Sequence, residues 1–342
     1  MNKDIIQAAD RCYTWRHVLA AGDFRGETAQ LRANLASALA IQAYADEQGF
    51  EVASTDIEGV MEAFRLQHDL ISAEDTEKWL THCGLTLDDF QGFFERRILA
   101  DRFVQQADDI QREYALAEAA VTECMWPEVV LAGNFEQLAV PLARRVAAQL
   151  DGSTPCAPAD LQKIRREAKK RLRGCAPDPE WFADLVQMEA IYVAAERQAL
   201  LPERCAREVR TRALQLTRIE LAQVTFPAAD QAREAYACAA DEGESLDTIA
   251  ERSGCACDMA TQFYADVPED QRSLFFCAPP GKVFPPVEGE GGFAVCQIRR
   301  RIEPDANDAE VLARLQEHLL NTHFDPMVAT HVRWLFDPWS WT

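Results

Sequence analysis

Residues 279–304 read PPGKVFPPVEGEGGFAVCQIRRRIEP. Two prolines and a glycine open the stretch as a turn, a strand is expected around 284–288, a Gly-rich hairpin turn follows, and 292–300 supplies a second strand. This hairpin is the strongest β signal in the chain. Working backwards, IELAQVTF from 219 alternates poorly but is rich in residues that suit a strand. Between these stretches we expect helices over 228–240 and 245–252, a strand over 261–266 and a short helix over 268–277. Beyond them, 307–335 reads as helix, and the tail WLFDPWSWT holds three of the seven tryptophans.

The rest of the chain is helical in pattern. Residues 4–24 read as a short helix. Residues 28–48 form a long one, with Leu31, Leu35, Leu39 and Ile41 as an apolar stripe, and Gly49 stops it in the manner of a left-handed cap. Thr55 or Ser54 is expected to cap a helix over 56–70 whose Val60, Met61 and Phe64 face inward. Ser72 caps the next, with Asp75 three residues on as an acidic capping box, and Gly84 closes it. Thr86 opens a fourth, with Asp88 and Asp89 where the helix dipole favours negative charge. Helical character continues through 105–150. DGSTPCAPAD at 151–160 is a linker or loop. Helices are expected again over 161–173, 179–199 and 202–216, the last with Pro202 near its start.

The 342 residues carry 35 Lys+Arg against 56 Asp+Glu, a net charge of −21. That balance repels phosphate and argues against general nucleic-acid binding. No apolar stretch approaches the ~18 residues a membrane span needs, so no membrane insertion is expected. MNKDIIQAADRCYTWRHVLAAGDF has no continuous apolar core of the secretory type. Eleven cysteines, an odd and sparse set, fit reduced thiols in a cytoplasmic protein. No cofactor motif is found, and Cys255-Ala-Cys257 has no spaced second pair to complete a metal site, so neither cofactor nor metal is expected.

Two stretches resemble a known family. LRANLASALAIQAYADEQGFEV (31–52) and WLTHCGLTLDDFQGFFERRILADRF (79–103) are similar to the N-terminal helical chaperone region of the SurA-like and trigger-factor-like peptidyl-prolyl isomerases. ESLDTIAERSG (244–254) and LFFCAPPGKVFPPVEGEGGFAVCQIRRRIEP (274–304), with the helix running to HVRWLF, resemble a parvulin-type (PpiC) isomerase domain and the family's C-terminal helix. The resemblance implies a mostly α protein with a small α+β domain. The α+β part would be a βαααβαββ parvulin-like four-stranded antiparallel sheet with helices. The parts would be a helical domain at 1–104, an additional helical region at 105–217, the parvulin-like domain at 218–302, and a C-terminal helix and aromatic tail at 303–342 packing on the helical domain.

The family's site holds two strand histidines, a nearby Cys or Asp and an apolar lip, over a groove that receives an extended peptide around a proline. Carried onto this chain, the first histidine falls on Gln223 and the second on Ala294. None of the six histidines (17, 68, 82, 318, 323, 331) lies in the β-containing part. The family's Ser-x-Cys is present as Ser253-Gly254-Cys255. The Gly-Gly-Asp-Leu-Gly loop is replaced by CACDMATQF. The lip is expected at Met259 and Phe263, with Phe275, Phe276 and Phe293 as further peptide-binding candidates.

Prolyl isomerisation must overcome a barrier of roughly 18–20 kcal/mol, and binding that is equal in ground and transition states does not lower it. A groove that keeps apolar walls but loses its imidazoles is therefore expected to bind peptide with little or no isomerase activity. Three readings follow. The first is a chaperone-like protein holding an unfolded polypeptide or a precursor peptide. The second is an active peptidyl-prolyl cis-trans isomerase using Cys255, Gln223 and Phe263. The third is a scaffold subunit of a peptide-maturation complex. Cys255 is a reactive thiol or a space-filler, and Phe275 and Phe276 line the groove or belong to a core. The basic run Lys163–Arg173 attracts an acidic peptide or is a solvated helix face. The aromatic tail Trp334, Phe336, Trp339 and Trp341 is a partner patch or docks on its own chain.

Overall fold

The computed structural model describes residues 3–172, 178–289 and 291–341. They divide into two compact units, one made of Met1–Gln198 with Thr322–Thr342, the other of Ala199–Asn321. Arg173, the end of the basic run, lies outside the described residues.

The first unit begins with a hairpin, β1 (Asp4–Ala8) and β2 (Arg11–Thr14), turned at Ala9 with φ 52°. This corrects the single helix expected over 4–24, of which only α1 (Trp15–Arg25) is helical. Thr14 and His17 form its capping box. Helix α2 (Ala29–Gln48) ends at Gly49 with φ 68°, and α3 is Ser54–Gln67. The α3 cap is Ala53, without a side-chain bond, rather than Thr55 or Ser54. Its inward residues are Ile57 and Phe64, with the half-buried Met61 packed on the same core; Val60 is 38% exposed, because 57, 61 and 64 share one helix face and 60 falls beside it. Helices α4 (Ala73–Cys83) and α5 (Leu87–Arg102) carry the reciprocal Ser72/Asp75 and Thr86/Asp89 boxes read from the sequence. The helical stretch that follows is broken into α6 (Ala107–Glu113), α7 (Glu118–Leu131) and α8 (Phe135–Asp151), then α9 (Pro158–Arg171) and α10 (Pro179–Ala199).

The second unit starts with α11 (Pro202–Thr211) and α12 (Ala213–Leu216). Its core then runs β3 (Arg218–Phe226), α13 (Ala229–Asp241), α14 (Leu246–Ser253), β4 (Cys257–Phe263), α15 (Glu269–Cys277), β5 (Val287–Gly289) and β6 (Gly292–Ile302). Helix α16 (Ala309–His331) and strand β7 (Val332–Trp334) complete the chain. Two helices, not three, join β3 to β4. Strand β4 begins four residues before the expected 261. The strand expected at 284–288 is split: Gly281–Phe284 bonds to β6 through the Gly281 and Phe284 amides, and β5 resumes after Pro285-Pro286. Prolines have no N–H to give a ladder, so they fall at this sheet edge.

The sheet is antiparallel throughout, ordered β4-β3-β6-β5, with a bulge at Glu220/Leu221. Gly292 closes the hairpin at φ 134°; a Cβ there would lie 2.2 Å from the Phe226 carbonyl oxygen. One face of the sheet buries Ala222, Val224, Phe226 and Val295 against α13 and α14. On the other, Ile219, Leu221 and Ile298 pack with Val267, Phe275 and Phe284.

In the first unit a second sheet, β2-β1-β7, joins strands from opposite ends of the sequence. The expected helix over 307–335 therefore stops at His331, because β7 takes its hydrogen bonds from β1, with Ile6 opposite Trp334. The tail folds back on this unit. The buried Trp79 donates its Nε1–H to the Pro338 carbonyl at 2.9 Å, and Trp339 stacks on Trp79 and on His68. Phe336 is buried against Trp126 and Phe135. No described helix is long and apolar enough to cross a membrane.

Candidate functional site

Strand β3 runs between β4 and β6, so alternate residues face opposite sides of the sheet. Gln223 sits across from Asp258 on β4 and Cys296 on β6, and Thr225 across from Ala294. All five lie on the face away from α13 and α14. At one end α15 closes this face, where Phe275 and Phe284 stack at 4.4 Å over Leu221 and Ile298. At the other end Gln223, Thr225, Ala294 and Cys296 are half-buried and Asp258 is exposed, which leaves a shallow floor of small and polar side chains.

The chemistry of that floor is mild. Gln223 Oε1 accepts a weak bond from Cys296 Sγ at 3.6 Å. Burial pushes the Cys296 thiol up, so at neutral pH it is a protonated donor rather than a thiolate. Gln223 and Ala294, the positions onto which the resemblance carries the two histidines, share this face, and neither can take or give a proton as an imidazole does. The histidines outside this sheet have other partners: His17 caps α1, His68 stacks on Trp339, and His82 Nε2 bonds the Asp337 carbonyl at 2.7 Å.

The structure disperses the rest of the expected set. Cys255 follows the left-handed Gly254 cap of α14, 3.7 Å from the Ser253 carbonyl, and packs beside the α13/α14 cluster. It and Gln223 are on opposite sides of the sheet and make no pair. Phe293 lies across from Phe226 in the same helix-side cluster. Met259 lies across from Ala222 near the outer edge, 55% exposed. Phe263 sits at the far end of β4, its ring 4.9 Å from the Arg314 guanidinium. Phe275 is buried under Phe284, and Phe276 is exposed, edge-on to Tyr264. Cys296, Asp258, Val267 and Phe284 were not singled out from the sequence. Alternation outward from Gln223 would have found Cys296, whereas Phe284 required knowing that the chain already pairs with β6 ahead of Pro285-Pro286, where the register slips by one residue before β5.

The outer edge of β4 adds a second feature. Asp258, Met259, Ala260 and Thr261 are all exposed, and among the described residues no strand pairs with β4 on the side away from β3. The strand holds no proline and no lysine, the residues that commonly blunt an edge. Cys257, at its start, has its thiol pushed up by burial and by the neighbouring Asp247 carboxylate. No cluster of metal-ligating side chains occurs among the described residues.

No family model and no curated protein matches the chain. Among solved structures, it is similar to the peptidylprolyl isomerase PrsA of Bacillus cereus at 9% identity, over 62% of this chain and 83% of that one, with a TM-score of 0.33. PrsA of Bacillus subtilis aligns at 15% identity over 58% and 85%, with a TM-score of 0.21. A chain from a study of the SurA-like chaperones PEB4 and Cj1289 of Campylobacter jejuni aligns at 8% identity over 98% and 100%, with a TM-score of 0.20. Superpositions this loose carry no argument about the site.

Proposed function

We propose that the protein is a chaperone-like peptide-binding protein that holds an extended segment of unfolded polypeptide on the β4 side of the four-stranded sheet. The observation that carries this reading is the unblunted, exposed edge of β4 beside a shallow, half-open sheet face. An extended chain can add to such an edge through its main-chain groups, with alternate side chains reaching Met259 on one side and the Gln223–Ala294 floor on the other. Main-chain recognition is indifferent to sequence, so affinity would come from modest apolar contacts and selectivity would be loose.

The same geometry favours holding over isomerisation. Acceleration needs groups placed for the twisted amide of the transition state. Here the two positions carry a carboxamide and a methyl, and the Cys255 thiol is on the other side of the sheet.

Purified protein at stoichiometric ratio should slow aggregation of a chemically unfolded client. Exchange spectroscopy on an Ala-Pro-Phe peptide should show the uncatalysed cis-trans rate at catalytic protein levels, unchanged in Cys255→Ala. Failure to protect the client with circular dichroism intact counts against holding. Catalysis lost in Cys255→Ala would establish the isomerase reading in its place.

A further inference from the structure

Helix α9 reads PADLQKIRREAKKR and carries six basic side chains against two acidic ones, in a chain whose net charge is −21. It turns Leu161, Ile164 and Ala168 to the core of the helical unit. Counted from Gln162, the i, i+3, i+4, i+7 and i+8 positions share the outward side, which places Arg165, Arg166, Lys169 and Lys170 together. All of them are exposed. The two acids of the helix stand off this face. Asp160 is bound to Arg197 of α10, and Glu167 lies with the residues turned toward α1 and α10.

None of these four cations makes an ion pair among the described residues, although the chain holds 56 acidic side chains. Exposed arginines on other elements, Arg112, Arg197, Arg233 and Arg252, each have a carboxylate. On α9 the neighbours are like charges instead. Arg165 and Lys169 stand at i, i+4, as do Arg166 and Lys170, and such pairs weaken a helix. The helix dipole favours Lys169 and Lys170 in the last turn, but its effect fades within that turn and does not reach Arg165 and Arg166. Helix stability alone therefore does not account for the face, whereas an anionic partner would relieve the repulsion along its whole length.

We propose that the outer face of α9 docks a short acidic segment of another polypeptide, a run of Asp or Glu in extended conformation. From Gln162 to Lys170 the face is about 12 Å long, which about four residues of extended chain cover. That length is what favours a polypeptide. Duplex nucleic acid and an anionic bilayer both reach far past the patch and would meet the acidic remainder of the chain, which repels them. A short acidic run meets the cations alone, since charges more than about 8–10 Å away are largely screened at physiological salt. Exposed pairs of this kind are weak singly, so the surface serves the speed and selectivity of encounter more than tight binding. It belongs to the helical unit and uses none of the β4 residues, so it stands or falls separately from client holding.

The test is two-dimensional NMR of the isotope-labelled full chain, titrated with a peptide of four consecutive glutamates between Gly-Ser flanks and with its four-glutamine counterpart. The glutamate peptide should shift the α9 amides saturably, with a Kd of about 1 mM or tighter at low salt and weaker binding at physiological salt. The glutamine peptide should leave them in place. The triple variant R165Q/R166Q/K169Q should weaken binding about tenfold, the worth of three exposed ion pairs. The triple R204Q/R207Q/R210Q removes the same charge from exposed positions on α11 of the other unit and should leave the affinity within twofold. All six positions are exposed, and circular dichroism checks that both variants fold. Absence of saturable α9 shifts, equal effects of the two peptides, or equal weakening by the two triples overturns the proposal. Tighter binding of a short single-stranded RNA, or co-pelleting of the protein with phosphatidylserine vesicles, overturns it in favour of that partner.

Discussion

Replacing Met259 by lysine tests where a client sits. Full burial of a methionine side chain is worth about 1.5–3 kcal/mol. Met259 is 55% exposed, so a client lying on β4 would recover roughly half of that, about 0.8–1.6 kcal/mol. Lysine keeps an aliphatic stem but places an ammonium at the contact, which must stay hydrated or lose solvation. The combined loss is about 1–2 kcal/mol, a factor of roughly 5–30 in affinity. Because the side chain already stands in solvent, the fold should change by no more than about 0.5 kcal/mol.

Fluorescence anisotropy of a labelled extended apolar peptide reads the affinity, and circular dichroism melting reads the fold. Leu66→Lys is the control. Leu66 is 61% exposed on α3 of the helical unit, so it offers a similar apolar loss away from β4. A Met259→Lys affinity within twofold of the parent, with the melting curve unchanged, refutes edge and face binding. An equal loss in Leu66→Lys refutes it as well, because the effect would then be one of overall charge or surface hydrophobicity.

Gly292→Ala should destabilise the second unit by at least about 2 kcal/mol, since its Cβ would meet the Phe226 carbonyl at 2.2 Å and its φ of 134° is closed to L side chains; denaturant unfolding checks this, and near-parent stability would show that the hairpin can shift. Trp339→Ala should cost the helical unit roughly 2–3 kcal/mol, below the range for a fully buried tryptophan, lowering its melting temperature by about 5–10 °C. Burial, and then the Arg11 charge, lower the His17 pKa, and the His17 Nδ1 accepts the Thr14 N–H at 3.0 Å, which requires a neutral ring. The folded pKa is below the unfolded value near 6.5, so this stabilisation is complete above 6.5 and is lost as pH falls from there through the folded pKa. Melting temperature should therefore drop between pH 7.5 and 5.5, and His17→Gln, which keeps an acceptor, should flatten that part of the profile.

What the sequence revealed was what neighbours in sequence decide. The Ser72/Asp75 and Thr86/Asp89 boxes and the glycines after α2 and α4 are satisfied within one turn, and they stand where the residues place them. The hairpin before β6 was legible because Gly292 and the alternation after it are local. The N-terminal hairpin was not, because Ile5 and Ile6 are buried by pairing with β2 and with the distant β7, and no periodicity within 4–24 records that. At the site, the identity of Gln223 and Ala294 was legible and their shared face follows from the strand period. Cys255 was misleading because it precedes β4, where the turn out of α14, not the pleat, decides its direction.

The β1–β7 pairing raises a question of cost, because the unit of Ala199–Asn321 is inserted between its halves. Loop-closure entropy grows only as the logarithm of length. Lengthening the intervening chain from about 200 to about 320 residues therefore adds only about 0.4 kcal/mol. Against that stand the Leu335 and Phe336 amides bonded to the Ile5 carbonyl, the Lys3 ammonium 4.1 Å from the Phe336 ring, and the Trp339–Trp79 stack. An aromatic pair alone contributes about 0.5–1.5 kcal/mol beyond its buried area. The closure is thus favourable by more than the insertion costs. The penalty of carrying an intervening unit falls on folding rate, since contacts this distant in sequence form slowly, rather than on the stability of the finished helical unit.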